Sequence, residues 1–73
     1  MQNYHKRIKE LREDNDETQA SVAEILKVSQ SNYSKYERGE RKLTLEQLQI
    51  LCRHFNVSAD YILGLPKNLD WPR

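Results

Sequence analysis

Residues 18–39, TQASVAEILKVSQSNYSKYERG, decide the fold of this chain. The first half of the stretch has apolar residues at the spacing of one helix face, namely Val22, Ala23 and Leu26. Thr18 is a residue type that caps the start of such a helix, and Ser29 is suited to cap a second one. The stretch therefore predicts two short helices joined by a turn of about three residues.

The second of these helices is predicted from Gln30 to Arg38, and its two faces differ in character. Tyr33 and Tyr36 share one face, where they either stack on a nucleic acid or, as helical spacing favours, belong to the core. The other face carries side chains that are short or form directed hydrogen bonds, namely Gln30, Ser31, Ser34, Lys35 and Arg38. A DNA major groove, about 12 Å wide, admits such a helix, and these residue types match the donors and acceptors of base edges. The stretch is thus typical of a DNA-reading helix-turn-helix.

Capping signals divide the rest of the chain into three further helices. The first has one apolar face, formed by Tyr4, Ile8 and Leu11, and ends near Asn15. The fourth begins with a capping box of Thr44 and Gln47, and its predicted inner face consists of Leu45, Leu48, Leu51, Cys52 and Phe55. Asn56 ends it, and the fifth runs from Ser58 to Gly64. We therefore predict an all-α, compact five-helix domain over residues 1–64, followed by a tail over residues 65–73.

Length and composition exclude several classes of protein. The 73 residues suffice for one domain, and the single cysteine excludes an intramolecular disulfide, which fits a reducing compartment. The N-terminal residues are charged where a signal peptide is apolar, and no apolar run is long enough to cross a membrane. We expect a cytoplasmic protein with no membrane partner.

The charge distribution leaves two interpretations open. The net charge is only +1, which does not by itself mark a nucleic-acid binder. Residues 14–17 read DNDE, however, whereas residues 35–42 read KYERGERK, with four basic and two acidic side chains. Either this is an ordinary solvated surface of mixed charge, or the separation of charge orients the chain on a polyanion.

The residue types that would carry catalysis are isolated in the sequence. Cys52 lies on an apolar stripe, which favours a structural thiol over a nucleophile. His5 and His54 have no partners at metal-ligand spacing and are expected at the surface. The carboxylates lack an apolar pocket that would tune a pair for acid–base work. We therefore expect no enzyme, no metal and no cofactor.

Several segments, in this order and spacing, resemble the lambda-repressor/Cro-like DNA-binding domain, and in particular the xenobiotic-response-element family of bacterial and phage transcriptional regulators. The resemblance spans roughly residues 5–64. It rests on RIKELRE at 7–13, TQ at 18–19, Ala23, VSQSNYSKYERGERK at 28–42, LEQLQIL at 45–51 and FNVSADYIL at 55–63.

The resemblance implies roles for individual residues. It assigns base contacts to Gln30, Ser31 and Lys35, with Asn32 and Ser34 close by. It assigns phosphate contacts to Gln19, Arg41 and Lys42. Ser29, at a helix N-terminus, and Arg38, at the end of the recognition helix, are placed to add two more. The resemblance also implies a structural ion pair between Arg12 and Glu37.

The chain departs from the family pattern at three positions. Lys27 stands in the turn where the family often has glycine, so it is expected to need an uncommon backbone angle. Glu17 replaces a leucine and adds negative charge near the proposed phosphate contact of Gln19. Leu43 replaces a proline before the fourth helix.

These observations predict a transcriptional regulator, and specifically a repressor that occupies its operator. The expected partner is a double-stranded, palindromic operator bound by a homodimer, because two half-sites one DNA turn apart match a twofold-symmetric pair. The alternative is a protein-interaction module, such as an antitoxin or an adaptor, which the acidic stretch favours. Trp71 in the tail either folds back on the core or packs on a second subunit.

Overall fold

Five α-helices form the structure, a computed structural model that describes residues 4–65. They are α1 (Tyr4–Asp14), α2 (Gln19–Leu26), α3 (Gln30–Glu37), α4 (Leu45–Phe55) and α5 (Ala59–Leu63). Residues 4–65 contain no β-strand, so the predicted all-α, five-helix fold is confirmed. No helix within this range has the length and apolar character needed to span a membrane. Trp71 and the tail from residue 66 onwards lie outside the described residues.

Side-chain caps begin four of the helices, at the residues that the sequence predicts. The hydroxyls of Thr18, Ser29 and Ser58 accept the amide hydrogens of the residues three positions later, with donor–acceptor distances of 3.1 to 3.2 Å. Thr44 and Gln47 form a reciprocal capping box, with distances of 3.0 and 3.1 Å. Each cap satisfies an amide that would otherwise lack a partner in the first turn of its helix.

Left-handed residues end three of the helices. Lys27, Asn56 and Gly64 have φ values of 60°, 56° and 71° after α2, α4 and α5. The uncommon angle expected at Lys27 is therefore present, and its amide donates to the last turn of α2. α3 ends at Glu37, one residue before the prediction, because Arg38 is its C-cap and Gly39 has a left-handed φ of 78°.

The core lies between all five helices. It consists of Ile8, Leu11, Val22, Ala23, Leu26, Tyr33, Tyr36, Leu51, Phe55 and Ile62. α3 packs on α1 and α2, while α4 packs on α2 and α5. Tyr33 and Tyr36 belong to this core, so of the two alternatives for these rings the structure has them in the core and not stacked on a nucleic acid. Cys52 is half-buried, and burial raises the pKa of its thiol.

The prediction that Leu45 belongs to the inner face of α4 is wrong, since this side chain is 86% exposed. Leu45 is the first residue of α4. Side chains of a helix lean toward its N-terminus, so a leucine in the first position extends past the end of the packed helix. The apolar repeat of α4 therefore reaches the core only from Leu48 onwards.

Candidate nucleic-acid interface

The α2–α3 pair has the geometry of a helix-turn-helix. The turn of residues 27–29 is closed by two backbone hydrogen bonds, from Lys27 to Glu24 at 3.1 Å and from Val28 to Ala23 at 3.0 Å. Apolar residues on the inner faces of both helices are buried against each other, which sets the angle of α3. Because these faces are used in packing, α3 presents only its polar face outward.

The residues predicted to contact bases all lie on α3. Gln30 and Ser31, in the first turn, are exposed, whereas Asn32, Ser34 and Lys35 are half-buried. The Ser34 hydroxyl donates to the carbonyl of Ser31 at 3.0 Å, so it stays close to the helix backbone. The first turn of α3 therefore presents exposed donors and acceptors, whereas the polar side chains near the middle of the helix are half-buried.

A nearly buried carboxylate ties α3 to α1 and α2. Glu37 accepts hydrogen bonds from Arg12 Nε at 2.7 Å, from Arg12 Nη2 at 3.2 Å and from Gln19 Nε2 at 3.0 Å. The side chains of Arg12 and Glu37 are 13% and 3% exposed. Arg12 Nη1 also donates to the carbonyl of Glu17 at 3.0 Å, which extends the network to the α1–α2 loop.

The electrostatics of this network favour the charged forms of both partners. Burial acts to raise the pKa of the Glu37 carboxyl, but the hydrogen bonds it accepts, led by that from Arg12, outweigh burial and hold its pKa below the ordinary value. The same hydrogen bond raises the pKa of the Arg12 guanidinium. Glu37 is therefore a carboxylate at neutral pH, and its charge orients Arg12 and Gln19.

Tyr33 is a core residue next to this network. Its side chain is fully buried, so its hydroxyl is not available to a phosphate. Burial, reinforced by the neighbouring Glu37 carboxylate, strongly raises the pKa of this hydroxyl. Tyr33 therefore positions α3 and carries no part of the polar outer face.

The residues predicted to contact phosphates lie at both ends of the helix-turn-helix. Gln19 is the first residue of α2, and its amide group is held by Glu37. Ser29 caps α3 through its hydroxyl oxygen, which leaves the hydroxyl hydrogen for an acceptor such as a phosphate oxygen. Arg38, Arg41 and Lys42 follow α3 and are all exposed.

Arg38 does not extend into solvent as an independent charge. Its Nε lies 2.5 Å from a carboxylate oxygen of Glu40, and its Nη1 donates to the Ser34 hydroxyl at 2.9 Å. The structure thus joins one predicted phosphate contact to one predicted base contact. The sequence analysis missed this arrangement, although Arg38 and Glu40 are only two residues apart.

Glu17 and His54 form a second contact that the sequence analysis missed. His54 Nε2 lies 2.6 Å from a Glu17 carboxylate oxygen, and Ser21 donates to the same carboxylate at 3.1 Å. Glu17, a departure from the family pattern, is therefore an ion-pair partner of α4 when His54 is protonated. The two residues are 37 positions apart, so no local signal connects them.

Residues 4–65 hold no cluster of three or more side chains of the types His, Cys, Asp and Glu that could bind a metal ion.

Comparisons with known proteins agree with this geometry. The model of a family described as helix-turn-helix matches residues 8–62. An uncharacterized HTH-type transcriptional regulator, YobD of Bacillus subtilis (strain 168), is 39% identical over 67 residues. That match covers 92% of this chain, which spans 60% of the length of the relative. The crystal structure of the P22 c2 repressor protein in complex with a synthetic operator is similar with a TM-score of 0.76 and 29% identity. The similarity covers 85% of this chain and 94% of that one.

Proposed function

This chain belongs to the lambda-repressor-like helix-turn-helix family of transcriptional regulators, and from that membership we propose that it is a repressor that reads the DNA major groove with α3. The family is one of DNA-binding regulators and not of enzymes. The observation that carries the proposal is the division of α3 into buried tyrosines and a polar outer face, held in place by Glu37. A rigid helix with an exposed polar N-terminal turn suits direct readout of base edges. We take residues 1–64 as the DNA-binding unit.

Within this proposal, the N-terminal turn of α3 makes the most specific contacts. Gln30 can donate and accept together, as an adenine edge requires, while Lys35 matches the acceptors of guanine. Ser31, Asn32 and Ser34 complete the base-reading surface. Since a well-placed side chain contributes about 1–3 kcal/mol of discrimination per base, three to five such residues are enough for a selective protein.

Phosphate contacts position the recognition helix. Gln19 and Ser29 lie at the N-termini of α2 and α3, where amide hydrogens and the helix dipole favour anions. Arg38, Arg41 and Lys42 add cationic charge after α3. With a net charge of +1, the chain has little long-range attraction to DNA, so we expect most of its affinity to come from this local surface.

We further propose that two copies bind a palindromic operator and meet through the exposed start of α4. Leu45 protrudes beside an apolar groove whose lining includes Tyr4, Leu48 and Leu63. A twofold interface requires one patch to contain both a projecting group and the recess that receives it, and this patch contains both. Lys42 lines the same groove, so the patch adjoins the proposed DNA surface.

We place this repressor in the cytoplasm.

The test of the function is a titration of the protein on two duplexes at several salt concentrations. One duplex is an operator selected by the protein from random DNA, and the other is its scrambled sequence. Changing Gln30 and Lys35 to alanine should lower affinity for the operator by at least about tenfold, and by more than it lowers affinity for the scrambled duplex, which loses only the attraction of the Lys35 charge. The matched control changes Gln49 and Lys9, which are exposed residues of the same types on α4 and α1, and should leave both affinities unchanged.

Two results would contradict the proposal. One is equal affinity for the two duplexes. The other is retention of a protein partner, but no DNA, at low salt, which would favour an interaction module. The dimer is tested separately with Leu45→Ser, which should reduce cooperative binding to the full operator and leave binding to a single half-site unchanged. Cooperativity that survives this substitution would place the interface elsewhere.

A further inference from the structure

A line of polar contacts runs along the outer side of α3 from its middle to the loop that follows. Glu40 binds Arg38, Arg38 donates to Ser34, and Ser34 donates to the backbone of Ser31. The distances between successive heavy atoms are 2.5, 2.9 and 3.0 Å. The side chain at the outer end of this line, Glu40, is acidic and stands in the sequence between two exposed cations, Arg38 and Arg41.

We propose that Glu40 limits the affinity of the DNA surface for the phosphate backbone, because its carboxylate holds Arg38 close to Ser34 and competes with phosphate for that guanidinium. The inference rests on the proposed function, since it concerns the affinity of the same surface for the DNA backbone. Glu40 itself would touch no base. It acts by limiting the part of the affinity that does not depend on sequence.

Two physical effects lead to this result. First, Nε of Arg38 is bonded to the carboxylate, so a phosphate must displace Glu40 to form two parallel hydrogen bonds with the Nε and Nη2 edge of this arginine. Second, the carboxylate repels any phosphate that approaches the Arg38–Arg41 stretch. Both effects weaken binding to every DNA sequence.

The first turn of α3 is distant from this contact, whereas Lys35 is close enough for its charge to act on Glu40. Gln30 and Arg38 are eight positions apart, which is about 12 Å along a helix. Charges at the surface are largely screened beyond about 10 Å at 0.1 M salt. The loss of affinity therefore falls mainly on backbone contacts near Arg38, which an operator and a scrambled duplex share, so it lowers both affinities by a similar factor.

The Arg38–Glu40 contact contributes little to the stability of the fold. The side chains of Arg38 and Glu40 are 54% and 55% exposed, and exposed ion pairs of this kind contribute little to folding. The substitution Glu40→Gln, which removes the charge and keeps the shape, should therefore leave the fold unchanged. This makes binding measurements on the variant directly comparable with those on the wild type.

The experiment compares Glu40→Gln with Glu46→Gln. Glu46 is also exposed and lies in the first turn of α4, so both variants gain the same net charge. The probes are an operator duplex selected from random DNA by the wild type and its scrambled sequence. For Glu40→Gln we expect affinity for both duplexes to rise about tenfold and the salt dependence to steepen by about one counterion, whereas Glu46→Gln should raise neither affinity by as much. Affinities that rise no more in Glu40→Gln than in Glu46→Gln would overturn the proposal.

A second variant tests whether Glu40 acts through Arg38. In an Arg38→Met background, Glu40→Gln should raise the affinity for either duplex by clearly less than it does in the wild type, because only the repulsion of phosphate by the carboxylate remains. A full effect without Arg38 would show that the carboxylate acts on DNA directly and would overturn the assignment. Failure of the proposed function has a different signature, because the wild type itself would then show no preference for any duplex.

Discussion

Replacing Glu37 with glutamine tests whether the network of α1, α2 and α3 stabilises the fold. The substitution keeps the size of the side chain and removes its charge. If the new carbonyl oxygen takes the place of Oε1, it can still accept from Arg12 Nη2 and Gln19. The amide nitrogen then faces Arg12 Nε, so the shortest hydrogen bond, at 2.7 Å, becomes a contact between two donors. The Arg12 guanidinium, which is 13% exposed, also loses its counter-charge.

The expected cost follows from these changes. A hydrogen bond to a charged group contributes about 1.5–3 kcal/mol, and removing one partner of a fully buried pair costs about 3–5 kcal/mol. Because two of the three hydrogen bonds can survive, we expect the free energy of unfolding to fall by about 2–3 kcal/mol at pH 7. For a domain of this size, a loss of about 2 kcal/mol lowers the melting temperature by roughly 8–16 °C.

The pH dependence supplies an independent check. The folded pKa of Glu37 is below its ordinary value, so its contribution is present at neutral pH and is lost as pH falls through the folded pKa. The difference between wild type and Glu37→Gln should therefore shrink below about pH 4.5, the ordinary pKa of the group. Urea unfolding followed by circular dichroism at pH 7 and in this acidic range measures both quantities.

A matched control and a double-mutant cycle complete the test. Glu10→Gln, at an exposed position of α1, should leave the free energy of unfolding unchanged. Arg12→Met combined with Glu37→Gln should cost less than the sum of the two single changes, since the second change no longer leaves a charge without its partner. If Glu37→Gln costs less than about 0.5 kcal/mol, or if its effect is independent of pH, the network does not stabilise the fold as described.

Three further substitutions test the local features of the fold by thermal or urea unfolding. Lys27→Gly should stabilise the protein by about 0.5–1 kcal/mol, because Lys27 has a φ of 60°. The same change at Lys9, inside α1, should destabilise it. A change in the free energy of unfolding that has the same sign at both sites would contradict the argument. Gly39→Ala should lower the free energy of unfolding by about 1–2 kcal/mol, because φ is 78° and the added Cβ would lie 3.0 Å from Cδ2 of His5. A melting temperature equal to that of the wild type would be inconsistent with the left-handed backbone at Gly39. Leu51→Ala, at a fully buried site, should cost about 2–5 kcal/mol, and a smaller loss would mean that the core closes over the cavity.

The local features of this fold were predictable because each depends on neighbours in sequence. The capping box of Thr44 and Gln47 joins residues three positions apart, whereas the left-handed angle at Lys27 was expected only because the family that the chain resembles often has glycine there. Leu45 shows where this reasoning stops. Its spacing matches the apolar face of α4, but whether any helix covers that first position depends on tertiary packing.

The site is less predictable than the fold, since its polar contacts join distant elements. The sequence analysis paired Arg12 with Glu37 only through the family resemblance, and neither the bond from Gln19 to Glu37 nor the contact between Glu17 and His54 has a local pattern. Helical periodicity places side chains on a face, but it does not say which of them meet across an interface. The base and phosphate contacts stay predictions for the same reason, because they depend on a partner as well as on the chain.

The junction of three helices at the Glu37 carboxylate has a consequence for the thermodynamics of DNA association. Since α3 is already fixed relative to α1 and α2, binding would not have to order the backbone of the recognition helix. The entropy lost by the protein would then come mainly from the exposed side chains of its polar face. A calorimetric titration would accordingly lack the large negative heat-capacity change of coupled folding and would resemble the docking of two preformed surfaces.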